Sequence, residues 1–222
     1  IVATLSAQKI DSVQYRKVLN IYNRLVQARG DFRFPVPSFN LVAEERRVAG
    51  IDYNDLSIVL EEKALGVCNT FGAETDAAIA FLLAHELTHY YEKHAWRRSF
   101  AEDNKDLKIG LDLDKITDAA TNETEADYLG GFLAYSAGFG LFQKGSEIIQ
   151  SIYKAYGLKN DLPGYPSLSD RQALSRRTAE KMASLVDVYD MANLLVAIGK
   201  YTEAYEYYRY ILFTYQSREI YN

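Results

Sequence analysis

Cysteine occurs once in the 222 residues, at Cys68, so no disulfide can form within the chain and the redox compartment stays open. Basic residues are outnumbered, 25 lysines and arginines against 30 aspartates and glutamates, for a formal charge of −5. That balance gives no electrostatic drive towards nucleic acid or an anionic membrane surface, and neither is expected as a partner. Long apolar runs are missing too. The longest, such as AAIAFLLA at 77–84, falls well short of the roughly 20 residues a membrane-spanning helix needs, so no span is expected. No secretory segment is visible, and the first residue is Ile1 rather than methionine, which reads as a processed or trimmed chain. Proline is confined to positions 35, 37, 163 and 166, where it rules out regular helix. Histidine is equally sparse, with all three copies falling between His85 and His94.

What is present is ordinary globular composition, 48% hydrophobic and 25% charged, with tyrosine abundant at 18 residues. The length suits one substantial core with a small appendage. Apolar residues recur at helical spacing over 6–29, from Ile10 and Val13 to Leu25 and Val26, with Gly30 placed to end the helix. Extended chain is predicted around 39–42, strand and turn material over 46–62 with 58–60 the best strand, and a short helix in EKALGVCNTFG. A helix capped by Glu74 or Thr75 is predicted to run from about Asp76 to Arg98. The charged stretch 99–118 reads as a loop or irregular helix, followed by a helix from Thr121 or Asn122, further helix over 141–156, and a loop to about 170. Two tyrosine-rich helices, 171–198 and 201–217, flank Gly199-Lys200. Gly199, Tyr201, Ala204, Tyr208 and Ile211 fit the packing positions of a tetratricopeptide hairpin, although only one such unit is present and an ordinary helical hairpin packed on the core fits as well. The expected fold is α+β and mainly helical, with a main domain over 1–170 and a helical tail over 171–222.

His85 and His89 lie four residues apart, so at about 100° per residue they stand roughly 40° apart on one helix face. Two imidazoles so placed can converge on one zinc ion, and Glu86 sits beside them, able to reach a water without acting as a ligand. The alternative is a core helix with incidental histidines. His94, nine residues from His85, falls on the opposite face of a continuous helix and reads as a packing or surface residue. A catalytic zinc takes three protein ligands and an open position, so a carboxylate must supply the third. TNETEADYLGG offers Glu123, Glu125 and Asp127. Glu123 and Asp127 share a face and Glu125 points elsewhere, which suits Glu123 as ligand and Asp127 as acceptor for a zinc histidine's free N–H; a solvated acidic face remains the alternative. A structural calcium site is less attractive beside two imidazoles.

The segments LLAHELTHYYEKH at 82–94, ETEADYLG at 123–130 and YPSLSDR at 165–171 resemble the zinc metallopeptidase family of CaaX prenyl proteases and HtpX-type membrane proteases, which includes soluble periplasmic members fused to tetratricopeptide repeats. The resemblance spans about 56–175. It implies a zincin-like domain with His85, His89 and Glu123 as zinc ligands, Glu86 as catalytic acid/base and Asp127 in support. It also implies a zinc endopeptidase acting on protein or peptide substrates in envelope protein quality control, placed in the bacterial periplasm, with the tail able to take a protein partner. The sequence departs from the family at Tyr165-Pro166, where a histidine-proline pair is usual; Arg171 is retained. Tyr165 either donates to the developing oxyanion or only fills space, and Arg171 is the second candidate for stabilising negative charge. The interval of 34 residues between His89 and Glu123 is shorter than in many family members, implying a more open cleft. Extended segments near 39–42 and 56–60 are candidates to pair with substrate backbone. The competing reading is an inactive zinc-binding interaction module, against which stand the intact Glu86 and a ligand set with room for water.

Overall fold

The computed structural model describes residues 12–116, 118–161 and 166–222. Helix α1 (Ser12–Arg29) leads through the Pro35/Pro37 segment into three short strands, β1 (Ser38–Val42), β2 (Ala49–Asp52) and β3 (Ser57–Glu61). These form one sheet in the order β1-β3-β2, with β1 parallel and β2 antiparallel to β3. The remainder is helical: α2 (Glu62–Asn69), α3 (Thr75–Tyr91), α4 (His94–Asp103), α5 (Lys108–Ile116), α6 (Ala119–Ala134), α7 (Gly145–Tyr156), α8 (Leu168–Ala197), α9 (Tyr201–Leu212) and α10 (Arg218–Tyr221). The chain is thus mainly helical with a small three-stranded sheet. No described helix is long and apolar enough to cross a membrane.

Helix α3 is the hub. Its residues Ala78, Ile79, Ala80, Leu83, Ala84 and Leu87 are fully buried, because α1, α2, α6, α7 and the sheet surround it. A helix enclosed on most sides needs apolar residues around its circumference rather than on one stripe, which explains the run AAIAFLLA. Helix α6 lies along α3 and is itself backed by α8. Gly130 makes this approach close: a Cβ there would stand 2.9 Å from the carbonyl carbon and oxygen of Ala84 and from the amide nitrogen of His85.

Several sequence expectations are corrected. The helix predicted to run to Arg98 stops at Tyr91; Lys93 takes a left-handed conformation (φ 58°) and α4 begins anew at His94. Left-handed backbone costs a non-glycine residue roughly 1 kcal/mol. Against this, Arg97 Nε donates to the Glu92 carbonyl at 2.9 Å and the His94 ring is buried. Of the two alternatives for 99–118, the helical one holds: the stretch contains the end of α4 and all of α5. Helix α6 begins earlier than predicted because Asp118 caps it, accepting from the Thr121 amide at 2.6 Å. The segment 56–60 is not a free edge, since β3 is the central strand with both sides paired. Helix α9 ends at Leu212 rather than 217, and the chain turns so that Tyr215 is buried edge-on against Phe132, 5.1 Å between centroids. Helix α8 starts at Leu168 and packs on both α6 and α7, then folds back onto α9, where the Tyr208 hydroxyl donates to Asn193 Oδ1 at 2.6 Å.

Candidate metal centre

His85 and His89 project from one face of α3 towards Glu123 of α6. The two Nε2 atoms are 3.0 Å apart. His85 Nε2 is 3.5 Å from Glu123 Oε2, and His89 Nε2 is 3.5 Å from Glu123 Oε1. Among the described residues these three form a group whose ligand atoms all lie within 4.8 Å of one another. Donors bonded at about 2.0–2.2 Å to one tetrahedral ion stand roughly 3.2–3.6 Å apart; the two imidazole–carboxylate separations fall in that range and the imidazole pair lies just below it, which suits a divalent metal such as Zn²⁺. The donor set, two imidazoles and one carboxylate, has the chemistry that such an ion takes.

Each donor is oriented by a neighbour. His85 Nδ1 is 2.8 Å from Asp127 Oδ1, one helical turn beyond Glu123, and Asp127 is buried. An imidazole that gives its Nδ1 proton to a carboxylate turns the Nε2 lone pair towards the metal position. Arg171, in the first turn of α8, donates from Nη1 to Glu123 Oε2. Its Nε is buried with no hydrogen-bond partner among the described residues. His89 Nδ1 faces His94 Nδ1 at 2.7 Å, and His94 Nε2 is 3.0 Å from Glu125 Oε2. His94 is therefore not on the far side of the helix: the break at Lys93 returns it to the cluster. Glu125 does point away from the metal position, as its spacing predicts, but it points at His94.

The electrostatics follow from this packing. Burial opposes charge on His85, yet hydrogen bonds to Asp127 and Glu123 outweigh it and raise its pKa to about 10 without metal. His89 is depressed to about 2 by burial and by the neighbouring His85. Burial also opposes the Glu123 carboxylate, but His85 and Arg171 hold it below the usual carboxylate range. Glu86 is pushed up to about 7, first by burial, with Glu123 adding to the rise and the His85 and Arg171 charges opposing it. A carboxyl that titrates near neutrality is suited to proton transfer at physiological pH.

Glu86 and the cluster share a cleft of about 410 Å³. Its walls include Ala49 and Ile51 of β2, Tyr53 beyond that strand, and Ile149, Ile152 and Tyr153 of α7. Strand β2 is an edge of the sheet, so among the described residues one side of its backbone has no strand partner. Tyr165 lies outside the described residues. The sequence offered Glu125 only as a carboxylate set aside by its spacing and read His94 as a packing or surface residue, and it pointed to neither Arg97 nor the cleft tyrosine Tyr53. For His94 the only available signal was its proximity to the other two histidines, which continuous helical geometry argued against.

No protein-family model matches this chain, and neither the characterised proteins nor the solved structures provide a match. What the fold and site define is a mainly helical domain with a buried His-His-Glu cluster fit for a divalent metal.

Proposed function

We propose that the protein is a zinc-dependent endopeptidase. The observation that carries the proposal is the placement of Glu86: a carboxyl raised to about 7 by burial, adjacent in the chain to ligand His85 and opening into the same cleft as the ligand cluster. A zinc ion held by His85, His89 and Glu123 would supply Lewis-acid polarisation of a peptide carbonyl and acidify water at the site. Glu86 takes the proton from the attacking water and delivers it to the departing amine. Asp127 holds the His85 ring, and Arg171 keeps Glu123 ionised and in place. The edge of β2 that no described strand covers is the proposed docking line for an extended substrate, whose alternate side chains would meet the apolar wall of Ile149 and Ile152. Arg171 and Tyr165 are also proposed as stabilisers of negative charge on the tetrahedral intermediate, with Tyr165→Phe as the check on the hydroxyl.

The resemblance to the CaaX and HtpX-type family supports this reading and carries three further proposals: a zincin-like catalytic unit over 1–170, a tetratricopeptide-like tail over 171–222, and a workplace in the bacterial periplasm. A second role, protein binding by the tail, is favoured by the exposed Tyr201, Tyr205, Tyr210 and Phe213 on and after α9. The deciding experiment compares wild type with Glu86→Gln for bound zinc and for cleavage of an unfolded protein. Equal zinc content with cleavage reduced roughly 10²–10⁴-fold in the variant is expected. Equal cleavage rates would rule the mechanism out.

A further inference from the structure

Of the two histidines in the cluster, only His85 has a carboxylate on its Nδ1. His89 meets another imidazole instead, and the hydrogen-bond chain continues beyond it. Glu125 Oε2 lies 3.1 Å from Arg97 Nη2 and 3.0 Å from His94 Nε2; His94 Nδ1 lies 2.7 Å from His89 Nδ1; His89 Nε2 lies 3.0 Å from His85 Nε2 and 3.5 Å from Glu123 Oε1. The His94 ring is 4% exposed, so water does not compete for its nitrogens. A carboxylate beside a guanidinium can only accept, so the proton on His94 sits at Nε2. In a neutral ring that leaves Nδ1 as a lone pair. Two ring nitrogens at 2.7 Å share one proton, which His89 must then provide from its own Nδ1. The lone pair of His89 is thereby left on Nε2, the atom that faces His85 and Glu123.

We infer that His94 is a positioning residue for the metal centre, and that Glu125–His94 is a two-member relay holding His89 in the Nδ1–H tautomer with Nε2 directed at the ion. The helix break at Lys93 acquires a purpose on this view. An unbroken α3 would carry His94 to the opposite face and leave His89 Nδ1 without its acceptor. The arrangement also assigns Arg97 a task, that of holding Glu125 at the end of the relay.

The inference rests on the metal reading above, and its test separates the two. His94→Leu fills the space but offers no acceptor; His94→Gln keeps a carbonyl oxygen able to accept from His89. Zinc alone is the probe, measured by competition with a chromophoric chelator, and the His89 tautomer is read from long-range ¹H–¹⁵N correlations in metal-free protein carrying His85→Ala, which removes the other ring nitrogen facing His89 Nε2. His94→Leu is expected to weaken zinc binding roughly 10–100-fold, the usual effect of losing an outer partner, and to move His89 towards the Nε2–H tautomer. His94→Gln should stay within about threefold of wild type, and Glu125→Ala should fall between the two. Unchanged zinc affinity and an unchanged tautomer in His94→Leu would overturn the relay, as would His89 found as Nε2–H with His94 intact. Wild-type protein that binds no zinc would overturn the metal reading instead, while the tautomer measurement still decides the relay. If His94→Leu does not fold, Glu125→Ala carries the same two readouts from a partly exposed position.

Discussion

Gly130 of α6 faces the backbone of Ala84 in α3 so closely that a Cβ at 130 would lie 2.9 Å from the Ala84 carbonyl carbon and oxygen. The same contact reaches the amide nitrogen of His85. Since the atoms met are backbone, neither side can yield without moving a helix. Gly130 thus sets the separation at which Asp127 and Glu123 meet His85.

Gly130→Ala is expected to destabilise the protein by about 1–3 kcal/mol, the usual cost of overpacking, and to weaken zinc binding by displacing α6. Gly66 provides the opposite control. It lies within α2, and a Cβ there meets nothing within 4 Å, so Gly66→Ala should stabilise by about 0.5–1 kcal/mol. Urea denaturation of both variants checks the two signs.

The proposed general base carries a stability cost with a definite pH window. Burial raises Glu86 to about 7 in the metal-free fold, against 4.5 as its ordinary value. Between those values the native state holds a proton that the unfolded chain releases, so this residue's contribution to stability falls as pH rises from 4.5 to 7 and is level above that. Glu86→Gln lacks this slope. Its advantage over metal-free wild type should therefore grow by roughly 1–2 kcal/mol between pH 4.5 and pH 8, with the partly open cleft limiting the size. Paired denaturation curves at several pH values measure it; a constant difference would mean Glu86 is not raised.

Metal binding should be visible as stability. Zinc present at about 100 times its Kd adds about 2.7 kcal/mol to a native state that alone binds it, a Tm increase of roughly 5–10 °C for a chain of this size. In His89→Ala the zinc-dependent increase should shrink to below about 2 °C. Thermal melts with zinc and with chelator provide the comparison.

Away from the cleft, Arg29 fastens the C-terminal segment to the core. Its guanidinium is 6% exposed, donates to Glu92 Oε1 at 2.9 Å, and stands 5.1 Å and 5.4 Å from the ring centroids of Tyr91 and Tyr215. Arg29→Ala should cost about 2–4 kcal/mol, combining the lost cation–π contacts with a carboxylate left unpaired. The double variant Arg29→Ala/Glu92→Gln should recover about 1 kcal/mol of this, as read from urea midpoints.

Much of this was legible in the residue order because it depends on local periodicity. Helical spacing alone brings His85 and His89 together and places Glu123 and Asp127 on one face of α6. The apolar character of 77–84 determines that the helix is buried, and Pro35 and Pro37 determine that the chain before β1 is not helical. What no local rule supplies is how separate elements meet. The left-handed turn at Lys93 is locally unfavourable, and it persists because His94 is buried between His89 and Glu125, residues that only the packing of α3 on α6 makes neighbours. The docking of α8 brings Arg171 to Glu123, 48 positions away in the chain. Strand order, and with it the assignment of β2 rather than β3 to the edge beside the cleft, is decided by a parallel pairing of β1 with β3 that the pattern of short apolar runs leaves open. The sequence by itself determined the donor types of the candidate site and the helices that carry them. The tertiary structure decided their distances, the partners that orient each ring, and which backbone edge faces the site, because these depend on contacts between segments distant in the chain.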